Sequence, residues 1–188
     1  MVDYTVINLD EIISLDKEIV FNAFKSYEPK YNETEVYDYL NNYAIKNNEL
    51  GYSKTYLIIN PKSKELIIYG YFTICNKIIE LKNISKTKRK KLLGYNYPNN
   101  RKKDYFPAYL IGQISVNNKY PNVLEKYEVM NCCLDTIKHI RSMIGCNIII
   151  LECKNNDRII NYYKENGFSI YNKVASNEDL ITMVHRLK

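Results

Sequence analysis

NIIILECKNNDRIINYYKENGF, residues 147–168, is an almost unbroken apolar run that gives way to a polar stretch and closes on glycine and phenylalanine. Apolar residues at consecutive positions, rather than alternate ones, mark a strand buried on both faces, so NIIILEC predicts a central strand of a helix-covered sheet. Asn155 and Asn156 are candidate helix caps, and Ile159, Ile160 and Tyr163 then fall on one helical face. Gly167 supplies the left-handed residue on which such a helix stops. FSIY and LITMVHRL, beyond it, predict two closing strands.

Upstream, residues 105–116 predict another strand, and from about 123 Val123, Tyr127, Met130, Leu134, Ile137 and Ile144 share one helical stripe. Strand, long helix, strand is the pattern of a parallel crossover. The link NNKYPN, residues 117–122, is a strand-to-helix junction, where free N–H groups and the positive helix end can hold an anion. It contains no glycine, Pro121 lacks an N–H, and Asn122 with Glu125 fits a capping box. A carboxylate folded onto that helix end competes with phosphate, whereas Lys119 and Lys126 attract it. The junction either holds a phosphate or only turns the chain.

Toward the N-terminus, YTVIN (4–8) predicts a short strand, and helical spacing over about 15–48 predicts two helices. TYLIIN, PKSK and ELIIYGYFTI, residues 55–74, form strand, turn and strand, with Pro61 and Ser63 as turn residues. Residues 82–103 hold nine Lys or Arg and no acid, and predict a basic loop, or a short helix and loop, kept outside the core. This insertion is either a solvated surface or a phosphate-binding one. No internal repeat or long linker interrupts the chain, so residues 1–188 are expected to form a single domain.

The 46% apolar content suffices for a core in 188 residues, and the formal charge of +6 suits an acidic partner or a solvated basic surface. Cys75, Cys132, Cys133, Cys146 and Cys153 form no C-x-x-C pair, and His139 and His185 lie far apart, so reduced thiols and no metal are expected. His139 is expected on a helix surface, and His185 on a strand closing the sheet. No run approaches the roughly 18 apolar residues that span a bilayer, and MVDYTVINLDE lacks the basic start of a signal peptide. No membrane partner and a cytoplasmic location are expected.

The order strand, junction, helix, strand, followed by N-x-x-x-x-x-x-Y-x-x-x-G-F at Asn156–Phe168, resembles the GNAT N-acetyltransferase family. LGYSKTYLIINPKSKELIIYGYFTI, the basic segment and FPAYLIGQISV are similar to its subgroup of toxins that acetylate aminoacyl-tRNA, over roughly residues 36 to 186. The resemblance implies an α/β GNAT-type acyl-CoA N-acyltransferase fold, a mixed central sheet flanked by helices. It also implies acetyl-CoA as cofactor, tRNA as a partner, and an antitoxin or a homodimer partner. Two positions depart from the pattern. The family's phosphate loop, Q/R-x-x-G-x-G/A, is replaced by Pro121-Asn122-Val123-Leu124-Glu125-Lys126, and Gln113 stands where the subgroup carries arginine.

By this resemblance, backbone groups of Ile114, Ser115 and Val116 polarise the thioester carbonyl, and Asn122, Val123, Leu124 and Lys126 line the pyrophosphate site. Asn156 faces the cofactor and Tyr163 is the general acid. A phenol with a reference pKa of about 10 can protonate a departing thiolate, although a packed aromatic beside Phe168 is the other reading of Tyr163. Tyr162 points about 100° away around the helix. No Glu or His stands out as a base, which favours an α-amine (pKa about 8) over a lysine amine (about 10.4) as acceptor. Lys88, Arg89, Lys90 and Lys91, with Lys86, Arg101, Lys102 and Lys103, are candidate phosphate contacts for RNA, and Tyr95, Tyr97 and Tyr105 are available to stack on bases. Two functions remain: an N-acetyltransferase acting on a primary amine such as the α-amine of aminoacyl-tRNA, or a catalytically inactive GNAT-fold protein that binds RNA or protein.

Overall fold

The computed structural model describes residues 3–30, 34–82, 84–94, 104–173 and 179–187. Seven strands, β1 (Thr5–Asn8), β2 (Lys54–Ile59), β3 (Ile68–Glu80), β4 (Tyr105–Val116), β5 (Ile148–Lys154), β6 (Ser169–Lys173) and β7 (Leu180–Arg186), form one mixed sheet. Their order is β1-β2-β3-β4-β5-β7-β6. β4 and β5 pair in parallel from Tyr109↔Ile149 to Ile111↔Leu151, the crossover expected of strand, helix, strand. The chain divides into two compact units, Met1–Cys75 with Gly112–Thr136, and Asn76–Ile111 with Ile137–Lys188.

In the first unit, the two expected helices are α2 (Lys17–Lys25) and a longer helical run composed of α3 (Thr34–Asp38), a π-helical turn (Tyr39–Tyr43) and α4 (Ala44–Glu49). A further helix, α1 (Leu9–Ile13), follows β1 directly, because Asn8 and Glu11 form a capping box there. Asp16 caps α2 by accepting from Glu18 and Ile19 N–H. Leu9, Val20, Phe24, Leu40, Leu57 and Tyr71 are fully buried in this core. Buried Asn48 crosses it: its Nδ2 donates to Asp10, and its Oδ1 accepts the Thr55 N–H at 2.8 Å.

The β2–β3 hairpin is antiparallel as expected, but β3 starts at Ile68. Residues 60–67 are occupied by the turn, in which Asn60 Oδ1 accepts from Lys62 N–H and Ser63 Oγ from Glu65 N–H. Gly70, on β3, marks a close approach. A Cβ there would lie 2.8 Å from the Ser115 carbonyl oxygen, 3.1 Å from Leu124 and 3.2 Å from Val129.

Helix α6 (Lys126–Ile144) begins three residues later than expected. Its buried line is Val129, Met130, Cys133 and Ile137, while Tyr127 and Ile144 are 56% and 68% exposed. The stripe drawn from Val123 thus had the wrong phase at both ends, since Val123 lies in the turn before the helix.

In the second unit, Ile148–Leu151 of β5 are buried, as their unbroken apolar run requires. The basic segment contributes α5 (Lys86–Leu93), capped by Ser85. The expectation that this segment stays outside the core is corrected at Leu92, which is 5% exposed and packs with Ile79, Leu81, Ile148 and Ile150. Helix α7 (Asp157–Glu165) starts on Asn156, whose Oδ1 accepts from Arg158 and Ile159 N–H. Its end is a Schellman motif: Gly167 (φ 84°) donates to Lys164 and Phe168 donates to Tyr163. β7 lies between β5 and β6, so His185 sits on an inner strand instead of closing the sheet; its Nδ1 donates to the Gly167 carbonyl.

Replacing Gly70 with Ala is expected to lower unfolding free energy by about 1–3 kcal/mol, because the Cβ meets backbone that cannot swing away. Urea denaturation checks this: the midpoint should fall with the slope unchanged.

Candidate active site

Ile114, Ser115, Val116, Asn122, Val123, Leu124 and Lys126 belong to the first unit, and Asn156, Tyr163 and Lys88 to Lys91 belong to the second. In the first, β4 ends in three buried residues, Ile114, Ser115 and Val116. Ser115 Oγ is buried with no hydrogen-bond partner among the described residues. Gln113, at the subgroup's arginine position, donates its N–H to Thr73 Oγ1 at 2.8 Å.

Asn117, the first residue of NNKYPN, is 2% exposed and fully used. Its N–H donates to Tyr69 at 2.8 Å and its Nδ2 to the Ile68 carbonyl at 2.7 Å. Its Oδ1 accepts from Glu28 N–H at 3.1 Å and Lys119 N–H at 3.0 Å. Asn118 N–H donates in turn to the Glu28 carbonyl at 2.6 Å. One side chain therefore ties the junction to β3 and to the segment after α2.

The second half of the junction departs from the expected cap. Asn122 has φ 64°, in the left-handed region that asparagine enters more readily than other non-glycine residues. An N-cap needs extended backbone, so Asn122 does not form the capping box with Glu125. The reciprocal contact lies one turn on: Glu125 N–H donates to the Glu128 carboxylate at 2.8 Å, and the Glu125 carbonyl accepts from Glu128 and Val129. The Glu125 carboxylate instead pairs with Lys30 at 3.3 Å. A carboxylate still sits at the positive end of α6, but it belongs to Glu128. Leu124 is buried against Gly70, so its contribution to a ligand is limited to its backbone. Val123 and Lys126 are half-buried.

Beside the junction opens a groove of about 440 Å³ lined by Tyr27, Glu28, Pro29, Thr34, Tyr37 and Asn118. Glu28 is its exposed carboxylate. Sequence reasoning missed it, since no local motif marks it; only the long-range bonds to Asn117 and Asn118 bring it to the junction.

In the second unit Tyr163 is 7% exposed, in edge contact with Tyr162 (5.1 Å) and Phe168 (5.9 Å). Its carbonyl is held by the Phe168 N–H, so helix end and ring position are locked together. Within the basic helix, Lys88 donates to the Tyr171 carbonyl and lies 5.0 Å from that ring, and Arg89 donates to the Leu81 carbonyl at 2.6 Å. Both are anchored to their own unit, whereas Lys86, Lys90 and Lys91 are exposed. Lys82 donates to the Tyr105 hydroxyl. Tyr95, Tyr97, Arg101, Lys102 and Lys103 lie outside the described residues. Among the described residues there is no cluster of metal-ligating side chains and no helix long and apolar enough to cross a membrane.

The sequence matches no family model and no curated protein. Solved structures do match. The AtaT complex with acetyl-methionyl-tRNA is 17% identical over 96% of this chain and 94% of that one, with a TM-score of 0.69. A bacterial toxin superposes with a TM-score of 0.72 at 14% identity, covering 100% and 92%. A tyrosine-to-phenylalanine mutant of the AtaT toxin, bound to acetyl-CoA and the C-terminus of the antitoxin AtaR, gives 0.64 at 13%, covering 96% and 92%. The fold is therefore the GNAT fold, in the form these toxins adopt.

Asn117→Ala leaves Glu28 N–H, Lys119 N–H and the Ile68 carbonyl without their partner, and is expected to cost about 2–3 kcal/mol by chemical denaturation. A second expectation concerns pH. Burial raises Cys133 and Cys153 above the ordinary thiol value of 9.0, and Tyr56, Tyr109 and Tyr171 above the phenol value of 10.0. These groups hold protons more tightly folded than unfolded, so their contribution is complete below the unfolded values and is lost as pH rises past them. The thermal midpoint under reducing conditions should fall from about pH 9 upward; a flat profile to about pH 11 would contradict it.

Proposed function

We propose that the chain is one GNAT-type domain that transfers an acetyl group from acetyl-CoA to a primary amine, namely the α-amine of an aminoacyl-tRNA. The observation that carries the reading is Tyr163, a phenol held by a Schellman lock and two rings on a fold shared with AtaT, which has been captured with acetyl-methionyl-tRNA.

The junction fits the cofactor in one essential respect. Asn122 takes the left-handed conformation that glycine supplies elsewhere, so the turn forms without glycine, while its Cβ limits how closely the backbone can approach a pyrophosphate. Residues Asn122 to Lys126 would hold the phosphates through backbone N–H groups, with Lys126 adding charge, and Asn156 would face the cofactor. Acetyl-CoA supplies the thioester carbonyl and a thiolate leaving group. The chain's own part is electrostatic and protonic. Backbone N–H groups of Ile114, Ser115 and Val116 are the donors for a developing oxyanion. Tyr163 carries the proton for the thiolate. Glu28, on the groove beside the junction, attracts the acceptor's ammonium, which loses a proton to solvent before the free amine attacks, so that a C–N bond replaces the thioester C–S bond as the thiolate leaves. An antitoxin fits the same reading as a partner.

One observation favours the second reading, an RNA- or protein-binding module without acetyl transfer: Glu128 places a carboxylate where phosphate would sit. In that case the exposed Lys86, Lys90 and Lys91 bind RNA, and changing all three to Ala should weaken binding and flatten its salt dependence.

Tyr163→Phe is expected to cut acetyl transfer to aminoacyl-tRNA by about 100-fold or more while acetyl-CoA affinity stays within about twofold. Steady-state turnover beside a binding titration checks both; unchanged turnover removes Tyr163 from the mechanism.

A further inference from the structure

Thr73 on β3 meets two consecutive residues of the neighbouring strand β4. Its Oγ1 accepts the Gln113 N–H at 2.8 Å, and a Cβ on Gly112 would lie 2.8 Å from the same oxygen. Two residues of one strand against one of the next is the pattern of a β-bulge, which re-aims the chain locally. Thr73, Gly112, Gln113 and Ile114 all belong to the first unit.

Thr73 is 2% exposed and lies opposite Thr55, two residues along from the Leu57↔Tyr71 pair of the core. Its hydroxyl therefore stands on the core face of the sheet, off the line of main-chain carbonyls, and draws the Gln113 peptide toward that face. Thr55 Oγ1 has no hydrogen-bond partner among the described residues, so it does not compete for the Thr73 hydroxyl. Gly112 is exposed, and among the described residues Thr73 Oγ1 is the only atom within 4 Å of where its Cβ would stand, chain neighbours aside. The hydroxyl, not a turn, requires this glycine.

We propose that Thr73 is a positioning residue for acetyl transfer, an inference that rests on the reading given above. By fixing the Gln113 peptide, its hydroxyl aims the next N–H along, that of Ile114, at the thioester carbonyl. Successive N–H groups of a strand point to opposite edges, so a Gln113 N–H turned to β3 turns the Ile114 N–H away from it. Asn117, four residues on, again donates to β3 at Tyr69, as this alternation requires. An oxyanion donor acts only where charge develops in the transition state, so misaiming it costs rate without costing binding of the cofactor.

Three variants of the intact protein test this, read by steady-state turnover on aminoacyl-tRNA and by calorimetric affinity for acetyl-CoA. Thr73→Val, which keeps the shape and removes the acceptor, should lower kcat about 10-fold or more with acetyl-CoA affinity within about twofold. Thr73→Ser, which keeps the hydroxyl, should recover most of that loss. Gly112→Ala should match Thr73→Val, because its Cβ displaces the hydroxyl from the Gln113 N–H, and it carries the test if the valine variant does not fold. Unchanged turnover in Thr73→Val or Gly112→Ala, a serine variant as slow as the valine one, or a loss confined to KM overturns the proposal while the parent's activity stands. A parent without acetyl transfer overturns the acetyltransferase reading itself, and this inference with it.

Discussion

The buried amide of Asn117 is the constraint on which the candidate site depends. It sits where β4 ends and spends donor and acceptor alike on backbone groups of Ile68, Glu28 and Lys119. Such a side chain is costly to leave unsatisfied, so these partners cannot drift independently. The direction in which the chain leaves β4 and the position of Glu28 beside it are both held by one residue. Gly70 completes this arrangement by admitting the Ser115 carbonyl at a distance no Cβ would tolerate, with Leu124 packed nearly as close. The junction is thus rigid through side-chain hydrogen bonding, where a glycine loop would be shaped by backbone freedom alone.

Charge decides how far that geometry can serve a phosphate. The positive end of α6 carries the Glu128 carboxylate on Glu125 N–H, and Lys30 draws the Glu125 carboxylate away. A single carboxylate on a helix end is worth about 0.3–1 kcal/mol, small beside several charge-assisted bonds to a pyrophosphate, and Glu128 is held by one hydrogen bond that a ligand can displace. In the basic segment the cations divide by function: Lys88 and Arg89 fasten α5 to its own unit, and Lys86, Lys90 and Lys91 remain for solvent or polyanion.

What the sequence disclosed was governed by local physics. The apolar run Ile148–Leu151, the Asn156 cap and the Gly167 stop are local rules, and all three hold. The β2–β3 hairpin and the parallel crossover were legible for the same reason. The Asn122–Glu125 box also obeyed a local rule, yet the left-handed turn at Asn122 moved the helix start by three residues and handed the role to Glu128. Leu92 looked solvated amid lysines but packs on a core that only tertiary structure assembles. Glu28 and Asn117 are 89 residues apart in sequence, a separation at which no motif operates. Asn117 itself stood in plain view as one polar letter of a polar turn; its burial was not readable from its neighbours.

The measurement that tests the central claim most directly is a calorimetric titration of the protein with acetyl-CoA, alongside the Asn117→Ala variant. The account predicts saturable binding by the parent in the micromolar range and substantial weakening in the variant under conditions where it remains folded. No binding by the parent up to millimolar acetyl-CoA would contradict it, and would mean that the junction after β4 only turns the chain.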